Sequence, residues 1–292
     1  MHISVLLAEA IESLKVEANQ WYIDATFGRG GHTAAILEQG GKVIAFDVDQ
    51  EAVAFGQQRF ADEVAKKQLI LIHENFDKLA LETEHLHLKD GIKGILFDFG
   101  TSTEQLTSSE RGFSFEGGGP LDMRMDQRLG VTAADLLGFM SERELVEVFF
   151  NYGGESFAKP IARHIKQWHV QNPGQKMTTP DLVQVVKKVK TKKEPLHPAT
   201  KVFQALRILV NSELESIELA LPQALTLLES HGRLVTIAFH EGEDRIVKKT
   251  FRSWENQAKG LQLDRRIVGP SEAELAANPR SRSARLRAFE KV

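Results

Sequence analysis

The residues best suited to chemistry stand at four places where a short apolar run gives way to a turn. The first is Asp24-Ala25-Thr26-Phe27-Gly28-Arg29-Gly30-Gly31-His32-Thr33. Glycines at a strand-to-helix junction let backbone N–H groups approach a ligand, and the opening of a helix favours an anionic or carboxylate group. A dinucleotide fingerprint would want a third glycine where this chain has Thr33. Nineteen residues after Gly28 comes Asp47, placed to accept both hydroxyls of a ribose. Asp49 reads instead as the cap of the next helix. Asn75-Phe76 offers an amide and a ring to an adenine, although a phenylalanine there is more often core. The fourth run ends in Leu96-Phe97-Asp98-Phe99-Gly100-Thr101-Ser102. Its Asp98 is expected beside the reacting groups, with the capping of a tight turn as the alternative. Gln105 follows in the same loop as a hydrogen-bonding partner for a cofactor.

A second constellation, Gly117-Gly118-Gly119-Pro120-Leu121-Asp122-Met123-Arg124-Met125-Asp126, sets two carboxylates four positions apart around one arginine. Magnesium wants an octahedron of oxygens and no adjacent guanidinium, so the metal reading is the weaker one. In the other reading glycines and Pro120 shape a loop, an acid holds Arg124 for work on a phosphate or loop closure, and Met123 and Met125 anchor it. His197 and His240 lack the spacing of a helical metal pair, and no metal site is expected. Phe113 and Phe115 suit either the stacking of a base or the core. Glu243 and Asp244 open a helix, where acids favour the dipole.

These residues need a frame. Apolar, β-branched runs at Trp21–Ala25, Lys42–Phe46, Leu69–His73 and Gly94–Phe97 alternate with helical periodicity at His32–Glu38 and Gln50–Val64, the rhythm of parallel strands joined by crossover helices. Strand patterns resume at Arg233–Ala238, Gln262–Val268 and Arg285–Phe289, with a helix around Asp244–Trp254. The last two runs leave no room for a crossover and predict an antiparallel pair at the sheet edge. The fold class is therefore α/β: a seven-stranded, doubly wound, Rossmann-like sheet interrupted after its fourth strand by a helical domain. The expected boundaries are 1–125 with 201–292 for the sheet domain and 126–200 for the insert. Within the insert Thr179 reads as the cap of a helix to Lys190, with Pro180 in its first turn.

The chain has 292 residues, 42% hydrophobic, and no cysteine, which rules out disulfides, thiolate zinc sites and iron–sulfur clusters. No apolar run reaches the roughly 18 residues that span a bilayer, and MHISVLLAEAIESL carries no basic leader, so a cytoplasmic protein with no membrane partner is expected. The net charge of −3 hides local bias: ten Lys/Arg against two acids lie between Lys159 and Lys201, and Arg280, Arg282, Arg285, Arg287 and Lys291 crowd the end. Such patches meet phosphate by counterion release or are solvated faces. Lys187, Lys188 and Lys190, with Arg124, are the expected phosphate contacts.

DATFGRGGHT, ERGFSFEGGGPLDMRMD, HPATKVFQALRI and FHEGEDRIVK, in that order and over nearly the whole chain, resemble the bacterial RsmH (MraW) family. The resemblance implies a class I methyltransferase fold and S-adenosyl-L-methionine as cofactor. It also implies transfer of a methyl group to N4 of a cytosine in the decoding centre of 16S ribosomal RNA, with the small ribosomal subunit as partner. Carried over by motif, the cofactor contacts fall on Gly30, Gly31, His32, Asp47, Phe76, Asp98 and Gln105, and the insert helps to hold RNA. Asp98 is the expected catalytic residue, accepting hydrogen bonds from the attacking amine. Two motifs depart from the usual pattern: FDFGTST stands for LDLGVSS, and Ala238-Phe239-His240-Glu241-Gly242-Glu243-Asp244-Arg245 for SFHSLEDR. The competing functions are an NAD-dependent oxidoreductase, suggested by the glycine loop and Asp47, and an inactive RNA-binding or assembly protein. The oligomeric state is not legible.

Overall fold

The computed structural model describes residues 4–88, 91–102, 105–106, 108, 110–115, 118–191, 196–263 and 267–292. It divides into two compact units, one of Met1–Gly100 with Leu214–Val292 and one of Thr101–Glu213. Gly117 of the glycine loop and residues 264–266 of the expected sixth strand lie outside the described residues.

The first unit is built on seven strands: β1 Trp21–Asp24, β2 Lys42–Asp47, β3 Leu69–His73, β4 Ile92–Asp98, β5 Leu228–Ala238, β6 Gly260–Gln262 and β7 Arg285–Lys291. Their order is β3-β2-β1-β4-β5-β7-β6. β1 to β5 run parallel, and β7 lies antiparallel between β5 and β6. The buried apolar runs Tyr22–Ile23, Val43–Phe46 and Ile95–Phe97 suit a parallel sheet covered on both faces. The order reverses between β1 and β4, and the crevice outside their carboxyl ends is where sheets of this kind bind ligands. The expected α/β, doubly wound sheet with an inserted helical unit and an antiparallel end is the observed fold.

Some element limits differ, each for a packing reason. β4 starts two residues before the expected Gly94, which makes room for Tyr22 and Leu14; a Cβ there would lie 2.8 Å from the Tyr22 ring. β6 starts at Gly260, pressed so closely on Phe289 and Glu290 of β7 that no side chain fits, and Val268 adds one isolated bridge to Leu286. The helix expected over 50–64 is two, Gln50–Arg59 and Ala61–Ala65, because Phe60 turns inward to meet Phe27 edge-on at 6.1 Å. The helix expected at Asp244 begins at Glu241, capped by the ring of His240.

The second unit packs the helices Ala133–Phe139, Glu142–Asn151, Ala158–Gln171, Thr179–Val189 and Thr200–Asn211 around a core that includes Leu137, Phe149, Ile161, Ile165, Leu182, Val186 and Leu206. Thr132, Ser141 and Thr178 each form a reciprocal capping box with an acid three residues on, which satisfies two otherwise orphaned N–H groups per helix. Thr178, not Thr179, is thus the cap, and Pro180 still sits in the first turn. Leu121, Met123 and the helix from Thr200 share this unit's core, so 101–125 and 201–213 group with the helices, whereas the sequence-based limits leave them with the sheet. Among the described residues no helix is long and apolar enough to cross a membrane.

Candidate active site

The loop between β1 and the helix Gly31–Glu38 is organised by a buried acid that the sequence did not single out. Asp24 is fully buried; its carboxylate accepts hydrogen bonds from Thr33 Oγ1 at 2.7 Å and the Thr26 backbone N–H at 3.2 Å. Burial raises its pKa, and the neighbouring His32 and these hydrogen bonds oppose the rise. Thr33, in the place of a dinucleotide-type glycine, therefore closes the loop from below. Thr26 Oγ1 in turn accepts the backbone N–H of Asp98 at 2.7 Å, which ties the loop to the end of β4.

The glycines divide by function. At Gly30 (φ 69°) a Cβ would lie 2.6 Å from the Phe27 ring and 2.7 Å from that of Phe60, and at Gly31 it would strike Ser4 Oγ. Both are glycine for packing. Gly28 (φ 53°) has nothing within 4 Å of where its Cβ would stand, so of these three it is the one whose missing side chain leaves open space. Its N–H donates to Asp47 Oδ2 at 2.7 Å. His32 is buried, with Nε2 3.2 Å from the Val5 carbonyl; a carbonyl only accepts, so Nε2 carries a proton. The other nitrogen, Nδ1, faces Asp98 Oδ2 at 3.9 Å.

Asp47 ends β2 and takes a second hydrogen bond from the Asp49 N–H at 2.8 Å. Burial pushes its pKa up to about 6, against the pull of these two N–H groups. Asp49 accepts the Glu51 N–H at the start of the next helix, the capping role expected of it. Phe76 packs edge-on to Phe97 at 5.5 Å and leans on Phe99 at 6.1 Å, half-buried at the end of β3. The amide of Asn75 is engaged instead with the Asp77 N–H and Ser216 Oγ. Asp98 has 22% of its side chain exposed, yet its Oδ1 is buried with no hydrogen-bond partner among the described residues. Its pKa is raised well above the ordinary carboxylate value by burial and then by the charges of Asp24, Glu243 and Glu274. An unpaired buried acceptor costs about 1–3 kcal/mol, a cost removed by a proton or by a donor from a ligand.

In the second unit Gln105 is buried, its Oε1 accepting the Ser102 N–H at 3.1 Å. The glycine loop is braced: Asp122 grips Arg124 at 2.7 and 2.8 Å, and Arg124 Nη1 donates to the Leu129 carbonyl at 2.5 Å. Asp126 grips Arg128 at 2.8 Å, and Arg111 donates to the Arg124 and Met125 carbonyls. Asn211 receives the Met125 N–H and donates to the Met123 carbonyl. Arg124 is thus held by an acid, as the loop reading expects. The expectation that Lys190 meets RNA is corrected, because it is buried in an ion pair with Glu155 at 3.1 Å. Lys187 and Lys188 are exposed. Phe113 is core, and Phe115 stacks on His197 with ring centroids 4.2 Å apart.

The sequence profile of the MraW methylase family matches residues 1–292. The chain belongs to the MraW methylase family. Among the relatives of this MraW methylase are proteins named Ribosomal RNA small subunit methyltransferase H. The one from Dechloromonas aromatica is 43% identical over 310 residues, covering 100% of this chain and 98% of its own. That from Shewanella sediminis is 41% identical over 311 residues, covering 100% and 97%. A solved rRNA methylase from Streptococcus thermophilus is 14% identical with a TM-score of 0.47, covering 100% of this chain and 99% of that one.

Two residues of this MraW methylase escaped the sequence reading, Asp24 and Thr26, and a third, Glu243, was read only as a dipole acid. The first two lie within the quoted loop, and an acid at the end of β1 with hydroxyls two and nine residues on was the available signal. Glu243 is fully buried. Its Oε2 accepts the Phe239 and His240 N–H groups, while His240 Nδ1 accepts those of Gly242 and Glu243. Asp244 does more than favour the dipole: Arg287 Nε at 2.7 Å and Arg285 Nη1 at 3.2 Å hold it, and they keep its carboxyl below the usual range despite burial.

Proposed function

We propose that this protein transfers the methyl group of S-adenosyl-L-methionine to N4 of a decoding-centre cytosine in small-subunit ribosomal RNA. The family match over the whole chain supports methyl transfer, and the relatives' names support ribosomal RNA as the substrate. The observation that carries the reading is that one loop joins two carboxylates, Asp47 through the Gly28 N–H and Asp98 through Thr26 Oγ1. The residues fit the cofactor. The space at Gly28 admits it, Asp47 keeps lone pairs for ribose hydroxyls, and the half-buried ring of Phe76, braced edge-on by the buried Phe97, offers a face to adenine. Gly30, Gly31 and His32 shape the loop around it. For Gln105 the family likeness alone supports a contact.

The bound cofactor supplies an electrophilic methyl on a cationic sulfur. The rest falls to the chain: orientation and exclusion of water supply most of the rate, as in other in-line transfers. The cytosine amine is a poor nucleophile, its lone pair delocalised into the ring. Asp98 accepts a hydrogen bond from that amine and raises its electron density. Methylation of the amine would set one proton free, and Asp98, whose raised proton affinity suits it to receive one, would take it. A cationic ligand group beside Asp98 favours the ionised carboxylate this requires. The base reaches the site turned out of its stack. Lys187 and Lys188 contribute RNA contacts from the helical unit.

The test is to incubate the protein with isotopically labelled cofactor and unmethylated small subunits, then digest the RNA and identify the product nucleoside. N4-methylcytidine at one decoding-centre position is the expected product. Label on a ring carbon, on another base, or on no RNA at all would sink the assignment.

A further inference from the structure

The helix Glu241–Asn256 of the first unit buries Glu243, Asp244, Val247, Phe251 and Trp254. Turned away from that face are Arg245, Lys248, Lys249 and Arg252, all exposed, at positions i, i+3, i+4 and i+7 and so on one side of a helix. The acid on this stripe is Glu241 at its start, which pairs with Arg245 at 3.2 Å. Glu255 turns to Gln262, 2.9 Å away. Among the described residues Lys248, Lys249 and Arg252 form no ion pair.

A stripe of like charge at these spacings destabilises its own helix by a few tenths of a kcal/mol per pair. The helix dipole offsets this near the last turn, but Lys248 and Lys249 stand in the middle, outside its reach. Near the first turn Arg285 is held on Asp244, and Arg280 and Arg282, a few residues before it in the chain, are exposed. From Arg245 to Arg252 the stripe runs about 10 Å, a length that meets more than one phosphate of a strand.

We infer that this helix face is a second RNA-binding surface, carried by the sheet unit itself, which grips the phosphate backbone of the substrate RNA without reading its bases. The inference rests on the proposed ribosomal RNA substrate. The chemistry is that of counterion release: each phosphate neutralised returns condensed cations to solvent and steepens the salt dependence of binding by about 0.7–0.9 per contact.

The experiment measures the affinity of the full chain for a protein-free 16S ribosomal RNA transcript, and for intact small subunits, across a series of potassium chloride concentrations. Wild type is compared with the triple variant Lys248→Gln, Lys249→Gln, Arg252→Gln and with a charge-keeping triple, Lys248→Arg, Lys249→Arg, Arg252→Lys. The neutral triple should lose about tenfold or more in affinity at low salt, and its log–log salt slope should flatten by roughly 2, the sum of three contacts. The charge-keeping triple should match wild type. S-adenosylhomocysteine affinity, measured by calorimetry, should be equal in all three proteins, because the stripe lies outside the cofactor loop. A neutral triple with wild-type affinity and slope for the transcript overturns the inference. So does a loss seen with intact subunits alone, which would assign the face to an acidic ribosomal protein. A wild-type protein that binds no RNA, or leaves cytosine unmethylated, would count against the proposed function itself.

Discussion

The role proposed for Asp47, accepting ribose hydroxyls, calls for an ionised carboxylate, and burial works against that by pushing its pKa from 3.8 to about 6. The folded state therefore holds this proton more tightly than the unfolded chain does, and ionisation costs stability as pH rises through about 6. For the ligand the sign is the reverse. S-adenosylhomocysteine should bind with constant affinity above about pH 7 and weaken by roughly tenfold per unit below 6; calorimetry at a series of pH values in wild type and Asp47→Asn checks it, the variant being weaker and flat. At Asp98 the same logic separates catalysis from stability. Its charge is disfavoured in the folded protein by burial and by three nearby acids, so Asp98→Asn removes that cost. Methyl transfer should fall by at least about 100-fold, while the thermal midpoint at pH 8 stays level or rises. A lowered midpoint would mean that the carboxylate is a structural partner instead.

Among the turns and helices, the two kinds of glycine make opposite predictions. Gly30→Ala adds a methyl where the Phe27 ring already stands, at φ 69°, and should cost about 1–3 kcal/mol of stability in urea titrations. Gly28→Ala meets open space, costs about 1 kcal/mol for its φ of 53°, and should chiefly weaken cofactor binding. In the helical unit Lys190→Ala strands the fully buried carboxylate of Glu155 and should destabilise by about 3–5 kcal/mol, with the salt slope of RNA binding unchanged. These elements also show which boundaries a sequence hides. Thr178 outcompeted Thr179 as a cap because Asp181, three residues on, completes its box. His240 was passed over because its ring is not among the usual capping side chains. Gly94 and Gly260 are both strand residues that leave room for an aromatic ring, a packing partner that the sequence does not display.

The whole molecule should report its cofactor through stability. S-adenosylhomocysteine at a hundred times its Kd should stabilise the protein by about 2.7 kcal/mol and raise its thermal midpoint, while NAD at the same concentration leaves it unmoved; a shift with NAD would reopen the oxidoreductase reading. At this scale much was legible beforehand. Periodicity and connection length are local properties, and they were enough to fix seven strands, a parallel run, an antiparallel end and a helical insert after β4. The places of Asp47 and Asp98 followed, because strand ends are marked by local composition. What only the tertiary structure decided is which of these groups stay available. Lys188 and Lys190 look alike in sequence, and one is exposed while the other is buried on Glu155, 35 residues away. Asp122, Arg124 and Asp244 satisfy one another or distant arginines, and Asp98 keeps an acceptor with no partner among the described residues. Burial and pairing depend on neighbours far along the chain, and a charge acquires its pKa and its role only once packing has brought those neighbours beside it.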